Sequence, residues 1–444
     1  MEKFDVLIIG GGPASITISK IIGGKLNTAV IRPEDHSMIY CAMPYVIQGI
    51  FPIEKSFKKD SLVTDSGAKL IRDYVIRVDF DKKQVETEKG NIYSYEKLVI
   101  ATGAEPIIPP IKGTDLDGVF VFKTEKHLRD ILRFLEDASK AVVVGAGAIG
   151  IELAQAIKQY GIDTYLVDMA DQILPNLADK EMVASCEEDL KKQEINLFLN
   201  KKVSEIKGNG FVESVILDDG CEVQLAVNGK KGMVAFVVGV RANVELFKNT
   251  GLEIGRDGIV VNSKMETNIK DVYAVGDCVQ FKSAITGEIA GGKLATNAVA
   301  MGRLLAKNFL GANREYRGFI NGAATKVGEY YIGGTGLTER VARQKFDIEV
   351  EYAELFTAFP IMPFSKKVKM KIIVNKENKK LIGGQVVSGN PVTDKIDILT
   401  MAIQYGIPVD QLVYFSYSAQ PYQSFYPANN LLVACCEKIL PKLK

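Results

Sequence analysis

Two stretches of the chain repeat one order of apolar and polar positions. Apolar residues 4–9 run into a glycine-rich turn at residues 10–15, and residues 16–22 then have the spacing of a helix. The same order returns further along the chain, at residues 140–144, 145–150 and 151–160. An apolar strand, a tight turn and a helix are the opening of a βαβ unit. The pattern therefore predicts two such units about 135 residues apart, close to one domain length.

The remainder of the chain does not repeat this order of strand, glycine-rich turn and helix. A strand is predicted at residues 272–275 and a helix at residues 294–309. From about residue 318 a distinct C-terminal third begins, with strand-like stretches and one amphipathic helix at residues 330–332, 368–374, 381–387 and 396–405. Several strands with a helix in this order predict an α+β unit.

Composition narrows the class of protein. A chain of 444 residues with 47% apolar and 25% charged side chains is long enough for two or three folded domains. The net charge is only +1, from 55 basic and 54 acidic side chains, which argues against nucleic acid or anionic lipid as a partner and favours a small molecule. The longest apolar stretch is broken by glycines and by Glu152, and no leader pattern precedes the first strand, so a cytoplasmic protein without a membrane span is expected.

The second glycine-rich turn predicts a nicotinamide-dinucleotide site. Such a turn lets the backbone approach a pyrophosphate, and the helix behind it offers unpaired N–H groups. Gly145, Gly147 and Gly150 occupy the three glycine positions, and Asp168 ends the next strand. An acid there accepts hydrogen bonds from the ribose 2′-hydroxyl and repels a 2′-phosphate, so NADH is predicted in preference to NADPH.

The first turn is less regular. Gly10 and Gly12 are present, but Ser15 takes the third glycine position and Arg32 stands where the strand-end acid is expected. Glu34 and Asp35 follow Arg32; either they reach the ribose from the loop or that contact is missing.

Two such turns in one chain resemble the FAD and NAD(P)H-dependent pyridine nucleotide-disulfide oxidoreductase superfamily. Residues 95–103 are similar to its ATG segment, which crosses from the FAD domain to the NAD domain, and residues 267–277 to its second FAD motif. The resemblance implies that FAD is held by the first turn and these two segments, through Gly10, Gly12, Ser15, Ala101, Thr102, Gly103, Gly276 and Asp277. It implies that NAD is held by Gly145, Gly147, Gly150, Glu152 and Asp168.

The implied fold is α/β, with two Rossmann-like dinucleotide-binding domains (FAD and NAD) and a C-terminal α+β dimerisation domain. The expected division is residues 1–112 for the first part of the FAD domain, 113–240 for the NAD domain, 241–317 for the second part of the FAD domain, and 318–444 for the interface domain. The family's interface domain also delivers residues to the partner's active site, so a homodimer with shared sites is expected.

The six cysteines show no CxxC spacing, so any redox role falls on an individual thiol. Residue 46, where dithiol members carry a second cysteine, is Val46. The segment around Cys41 instead resembles that of the single-cysteine branch, which includes coenzyme A-disulfide reductases, NADH oxidases and peroxidases, and polysulfide reductases. Ser37, Pro44 and Tyr45 match that branch and are the expected substrate-pocket residues. A cysteine at the start of a helix has its thiolate favoured by the positive end of the helix.

Histidine and tyrosine separate the members of this branch. Oxidases and peroxidases of the family place a histidine in the first turn, where this chain has Pro13, and neither His36 nor His127 falls at a catalytic histidine position. In coenzyme A-disulfide reductases tyrosines take that role, and Tyr422 matches one of them, either as a proton donor or as a packing residue. The other is absent, because Ala358-Phe359-Pro360 stands in its place.

The resulting hypothesis is an NADH oxidoreductase that passes electrons through FAD to a sulfur atom bonded to Cys41, with Tyr422 as the second catalytic residue. Coenzyme A disulfide, a coenzyme A persulfide or polysulfide would be the substrate, and coenzyme A a possible bound participant. Two alternatives stay open: an NADH oxidase that reduces oxygen, and an NADH-dependent reductase of a small electron-transfer protein such as rubredoxin. Neighbouring Cys435 and Cys436 are expected to fill the core on a C-terminal helix.

Overall fold

The computed structural model describes residues 1–424 and 427–443. In order along the described chain the strands are β1 Glu2–Ile9, β2 Thr28–Arg32, β3 Ser37–Met38, β4 Phe57–Lys58, β5 Lys69–Arg72, β6 Val75–Asp79, β7 Gln84–Thr87, β8 Ile92–Ile100, β9 Ala104–Pro106, β10 Val119–Val121, β11 Ala138–Val144, β12 Asp163–Asp168, β13 Ile195–Leu199, β14 Val203–Lys207, β15 Ser214–Leu217, β16 Glu222–Gln224, β17 Lys231–Phe236, β18 Val240–Ala242, β19 Ile254–Gly255, β20 Gly258–Ile259, β21 Val272–Ala274, β22 Ala323–Val327, β23 Tyr330–Gly336, β24 Ile348–Phe356, β25 Lys367–Asn375 and β26 Lys380–Ser388.

The α-helices of the same residues are α1 Pro13–Ile22, α2 Met43–Ile47, α3 Ser61–Thr64, α4 Glu125–Phe134, α5 Ala148–Lys158, α6 Lys180–Lys192, α7 Ala295–Phe309, α8 Glu339–Ala342, α9 Thr393–Tyr405, α10 Val409–Leu412 and α11 Leu431–Ile439. None of the helices in this part of the chain is both long and apolar enough to cross a membrane.

The chain divides into two compact units. The first comprises Met1–Ile107, Lys123–Leu128 and Gly239–Phe319, and the second comprises Ile108–Phe122, Arg129–Val238 and Ile320–Lys444. Residues 123–128 thus pack with the first unit, although they lie in the stretch of sequence expected to form the NAD domain. The four-part division made from the sequence stays a prediction.

The first unit is built on a sheet in the order β5-β2-β1-β8-β7-β6, with β21 also paired to β8. β5, β2, β1, β8 and β21 run parallel, whereas β7 and β6 continue from β8 in antiparallel pairs. Residues 6–9 of β1 are all buried, because a parallel strand in the middle of a sheet is covered on both faces. α1 and α7 approach closely: a Cβ on Gly302 would lie 2.8 Å from the Ala14 carbonyl oxygen.

The second unit holds a second parallel sheet, in the order β10-β17-β11-β12-β13, and an antiparallel sheet, in the order β22-β23-β26-β25-β24. The mixed α/β class with two Rossmann-like sheets and a C-terminal α+β part is confirmed. Lys371 of β25 is fully buried and binds Asp179 (2.8 Å), Glu181 (2.5 Å) and Glu339 (2.7 Å). The ion pairs tie the start of α6 to the antiparallel sheet.

Candidate functional site

The first glycine-rich turn joins β1 to α1. Gly10 has φ +107°, and a Cβ there would lie 2.2 Å from the Ala101 carbonyl oxygen, so only glycine fits. Gly12 precedes the helix, and a Cβ on it would meet no atom of the described residues within 4 Å. The Ser15 hydroxyl is fully buried and has no hydrogen-bond partner among residues 1–424 and 427–443. The open space at Gly12, the N-terminus of α1 and the Ser15 hydroxyl without a partner together suit the binding of the FAD pyrophosphate.

The other segments expected to hold FAD meet this turn. Thr102 Oγ1 donates to the Asn243 carbonyl (2.7 Å). Gly103 has φ +72°, and a Cβ on it would meet no atom of the described residues within 4 Å. Asp277 follows β21, which pairs with β8, and its carboxylate lies 3.6 Å from Lys123 Nζ. FAD bound here would be held by the turn, by residues 101–103 and by Gly276 and Asp277.

Arg32 occupies the end of β2, where an acid is expected. The side chain is 2% exposed and its guanidinium pairs with Asp60 (2.5 Å). Arg72 also pairs with Asp60. Glu34 and Asp35 are exposed, and the Asp35 backbone carbonyl accepts hydrogen bonds from both arginines.

The second glycine-rich turn joins β11 to α5. Gly145 has φ +112°, and a Cβ there would lie 2.5 Å from the Val237 carbonyl oxygen; a Cβ on Gly150 would lie 1.8 Å from the Gly145 carbonyl. Gly147 faces open space in the described structure. The Asp168 carboxylate accepts hydrogen bonds from the backbone N–H groups of Ala146 (2.6 Å) and Ala170 (2.8 Å). The acid is thereby fixed against the turn that would hold a pyrophosphate.

Glu152, which is also expected at NAD, contacts the antiparallel sheet. It lies on α5, and its carboxylate accepts a hydrogen bond from Thr325 Oγ1 of β22 (2.7 Å). The contact links the helix behind the second turn to the antiparallel sheet of the same unit.

Cys41 lies in a segment that is attached to the first turn. It is exposed and sits in a single 3₁₀ turn, Tyr40–Ala42, followed by α2. α2 has only five residues, so its dipole can favour the thiolate only weakly. Ser37 Oγ donates to the Gly11 carbonyl (3.0 Å), which fastens the cysteine segment to the turn. Pro44 is buried and Tyr45 half-buried.

Lys58 interacts electrostatically with this thiol. Burial lowers the pKa of Lys58, the charge of Cys41 raises it, and Lys20 on α1 lowers it again, so Lys58 interacts electrostatically with both groups. β3 and β4 place Lys58 next to the cysteine segment, since Ser37 pairs with Lys58.

A second lysine, Lys123, connects the cysteine segment with Asp277. Its Nζ lies 5.3 Å from the centre of the Tyr40 ring as well as 3.6 Å from Asp277. Burial raises the pKa of Tyr40, and the charges of Glu34 and Asp277 raise it further. Sequence reasoning missed both Lys58 and Lys123, because a single lysine before or within a short element carries no pattern.

The other cysteines are set apart by burial or by position. Burial raises the pKa of the Cys186, Cys278 and Cys436 thiols to about 12, 11 and 12, respectively. Cys435 is fully buried beside Cys436 on α11, and burial raises its pKa as well. Cys221 is exposed, but it lies in the turn before β16, in the second unit. Exposure beside a glycine-rich turn is therefore peculiar to Cys41.

Tyr422 belongs to the second unit, and Cys41 to the first. Tyr422 is 65% exposed, and its ring packs against Phe364 at 5.0 Å between centres. The Phe359 N–H donates to the Pro421 carbonyl (3.2 Å). The segment of Tyr422, which matches one tyrosine of coenzyme A-disulfide reductases, therefore contacts the segment Ala358-Phe359-Pro360, where the other tyrosine is absent.

Comparison with known proteins supports the expected family. Residues 4–302 match the model of the pyridine nucleotide-disulphide oxidoreductase family, and residues 323–426 match that of its dimerisation domain. An NADH oxidase of Methanocaldococcus jannaschii is 37% identical over 94% of this chain and 94% of its own. A CoA-dependent NAD(P)H sulfur oxidoreductase of Pyrococcus furiosus is 31% identical over 95% of this chain and 96% of its own.

A solved structure points the same way. The NAD-dependent persulfide reductase of A. fulgidus matches with a TM-score of 0.91 and 26% identity, over 98% of this chain and 83% of that one. The matched family and these relatives are NAD(P)H oxidoreductases that act on sulfur compounds or on oxygen. The chain thus belongs to the pyridine nucleotide-disulphide oxidoreductase family, carries that family's dimerisation domain, and is an NAD(P)H oxidoreductase whose membership implies FAD.

Proposed function

We propose that this protein is an FAD-dependent NADH oxidoreductase that reduces a disulfide, persulfide or polysulfide through Cys41. The observation that carries the proposal is the attachment of the cysteine segment to the first turn, through the bond from Ser37 Oγ to the Gly11 carbonyl. An exposed thiol anchored to the turn that would hold FAD is suited to exchange electrons with that cofactor.

The proposed reaction is a thiol–disulfide exchange followed by reduction. The Cys41 thiolate attacks one sulfur of the substrate RS–SR′, a bond forms between that sulfur and Cys41, and R′S⁻ leaves. Bound FAD would supply the two-electron relay from NADH, which restores the Cys41 thiolate and releases RS⁻. The sum is NADH + H⁺ + RSSR′ → NAD⁺ + RSH + R′SH, so electrons and protons balance.

The lysines near the thiol favour an anionic substrate. Lys58 and Lys20 act electrostatically on one another, and Lys58 also on Cys41. Positive charge there suits polysulfide, or coenzyme A disulfide and persulfide with their phosphate groups. The names of two relatives, a CoA-dependent sulfur oxidoreductase and a persulfide reductase, support coenzyme A as substrate or bound participant.

The second turn supports NADH over NADPH. Asp168 is held against the turn by the Ala146 N–H, so its negative charge would face a ribose 2′-phosphate. The discrimination rests on charge repulsion and on the loss of the hydrogen bond from the 2′-hydroxyl.

A homodimer completes the proposal. The dimerisation domain leaves large apolar side chains exposed, among them Ile361 (85%) and Tyr414 (87%), as expected of a surface covered by a second copy. Exposed Tyr422 would then enter the partner's site and donate a proton to the departing thiolate. All six cysteines are free thiols, which suits the reducing cytoplasm.

Replacing the thiol tests the function. Cys41→Ser should keep FAD and its reduction by NADH but lose at least 99% of NADH-dependent reduction of coenzyme A disulfide and polysulfide. Cys221→Ser removes the other exposed thiol and is the matched control, expected to retain full activity. Mass spectrometry of the unreduced protein should find a coenzyme A adduct or a persulfide on Cys41. Sulfur reduction that survives in Cys41→Ser would overturn the proposal.

Oxygen reduction is the second candidate, because the 37% identical relative is an NADH oxidase. Against it, Pro13 stands where oxidases and peroxidases of the family place a histidine. Steady-state oxygen uptake measured against NADH consumption separates the two: the sulfur reductase should consume NADH anaerobically with a sulfur substrate at a higher rate than it does aerobically without one.

A further inference from the structure

The two parallel sheets place Arg32 and Asp168 at equivalent points. The Gly10 N–H donates to the Ile31 carbonyl at 2.8 Å, and the Gly145 N–H donates to the Val167 carbonyl at the same distance. Arg32 and Asp168 each come one residue later. The first unit therefore carries a cation at the position where the second carries the acid.

The Arg32 side chain runs along the turn. A Cβ on Gly11 would lie 2.4 Å from Arg32 Cδ, so the methylene chain occupies the space that a side chain at residue 11 would need. Nε is bonded to that same Cδ, and it therefore lies beside the turn.

The guanidinium is only partly satisfied by the protein. Its Nη2 donates to Asp60 and to the Asp35 carbonyl, whereas the buried Nε has no hydrogen-bond partner in the described part of the chain. A buried charged group normally has all its donors bonded, and an unpaired donor beside a nucleotide turn points to an oxygen supplied by the ligand.

We propose that Arg32 is a FAD-binding residue whose Nε donates to an oxygen of the adenosine diphosphate half of FAD. Asp60 is a positioning residue, because it binds Nη2 and so holds the guanidinium of this buried side chain in place. At the first turn, Arg32 would therefore bind the nucleotide in place of the strand-end acid of the regular motif. The inference does not depend on which sulfur compound or oxygen the enzyme reduces.

The test measures binding of FAD to the apoprotein by fluorescence titration. Arg32→Met should weaken FAD binding at least tenfold. Arg72→Met is the matched control: it also removes a partner of Asp60, but Arg72 is a more exposed arginine, and the atoms nearest to a Cβ on Gly11 all belong to Arg32, so less than a threefold change is expected. ADP alone, titrated as a competitor, should lose affinity in Arg32→Met by a similar factor.

Arg32→Lys keeps the charge and the attraction to Asp60 but has no donor at the Nε position, so it covers the case in which the methionine variant fails to fold. It should also weaken FAD and ADP, while the apoprotein melts within a few degrees of the parent. The proposal is overturned if Arg32→Lys binds FAD as the parent does, if Arg72→Met has the same effect as Arg32→Met, or if ADP binding is unaffected.

Discussion

The two glycine-rich turns have nearly the same backbone but different surroundings. Gly10 and Gly145 have φ +107° and +112°, and each would drive a Cβ into a carbonyl of the neighbouring strand connection. Gly12 and Gly147 cap the following helices with φ −77° and −76°. Elementary sterics therefore fix one turn geometry at both places.

The differences lie in the residues that face these turns. In the second unit, Asp168 accepts the N–H of Ala146, and the helix lies so close that a Cβ on Gly150 would meet the Gly145 carbonyl at 1.8 Å. In the first unit, Arg32 fills the space beside Gly11, and a fully buried serine, Ser15, takes the third glycine position. The turn would therefore hold the pyrophosphate in both units, whereas the residue at the end of the next strand decides the sign of the charge beside it.

The largest expected effect comes from breaking either turn at its first glycine. Gly145→Ala places an alanine at φ +112°, with its Cβ 2.5 Å from the Val237 carbonyl oxygen. The strain should destabilise the turn by about 1–3 kcal/mol or more. Stopped-flow absorbance should show that FAD is retained while its reduction by NADH slows about 100-fold, the equivalent of about 2.7 kcal/mol.

Gly10→Ala is the matched variant, with a 2.2 Å clash in the first turn. It should lose FAD during purification, with the ratio of flavin to protein absorbance falling accordingly. If Gly145→Ala lost FAD, or Gly10→Ala kept it and lost NADH, the assignment of the two turns would be reversed.

An intermediate effect is expected at the strand-end acid. Asp168→Ala removes the carboxylate proposed to accept a hydrogen bond from the ribose 2′-hydroxyl, so NADH should bind roughly tenfold more weakly, since a hydrogen bond to a charged group is worth about 1.5–3 kcal/mol. The preference for NADH over NADPH should fall with it, because the repulsion of a 2′-phosphate disappears. The measurement is the ratio of kcat/KM for the two cofactors.

Asp163→Ala is the control for Asp168→Ala, because Asp163 begins the same strand and binds Lys140 and Tyr165 at its other end. It should leave the cofactor ratio unchanged. An unchanged ratio in Asp168→Ala would show that another group sets the specificity.

The sequence predicted local features well. The strands, turns and helices of both βαβ units lie within a few residues of where the periodicity placed them, because each is set by residues close together in the chain. Three strands of the C-terminal sheet, β23, β25 and β26, were predicted for the same reason, whereas β22 and β24 were not. The buried state of Cys435 and Cys436 followed from their apolar neighbours.

The contacts that the sequence did not predict join residues that lie far apart in the chain. Asp60 reaches Arg32 from 28 positions away, and Lys123 reaches Asp277 from a segment expected to lie in the other domain. Such pairs obey no period, so nothing in the pattern marks them. The positive charge near Cys41 likewise comes from Lys58, which lies 17 residues further along the chain on β4.

The smallest expected effect tests the third position of the first turn, where serine replaces glycine. The Ser15 hydroxyl is buried with no partner in the described protein, so Ser15→Ala should hardly change the stability of the apoprotein. If the hydroxyl bonds to the pyrophosphate of FAD, the variant should bind FAD about fivefold more weakly, the equivalent of about 1 kcal/mol.

Ser19→Ala provides the opposite case on the same helix. Its hydroxyl is equally buried but donates to the Ser15 carbonyl at 2.9 Å, inside the protein. Ser19→Ala should therefore lower the melting temperature of the apoprotein slightly and leave FAD affinity unchanged, whereas Ser15→Ala should do the reverse. Equal effects of both substitutions on FAD affinity would mean that Ser15 only packs, and that serine is tolerated there because α1 leaves room for a Cβ that α5 would not accept at Gly150.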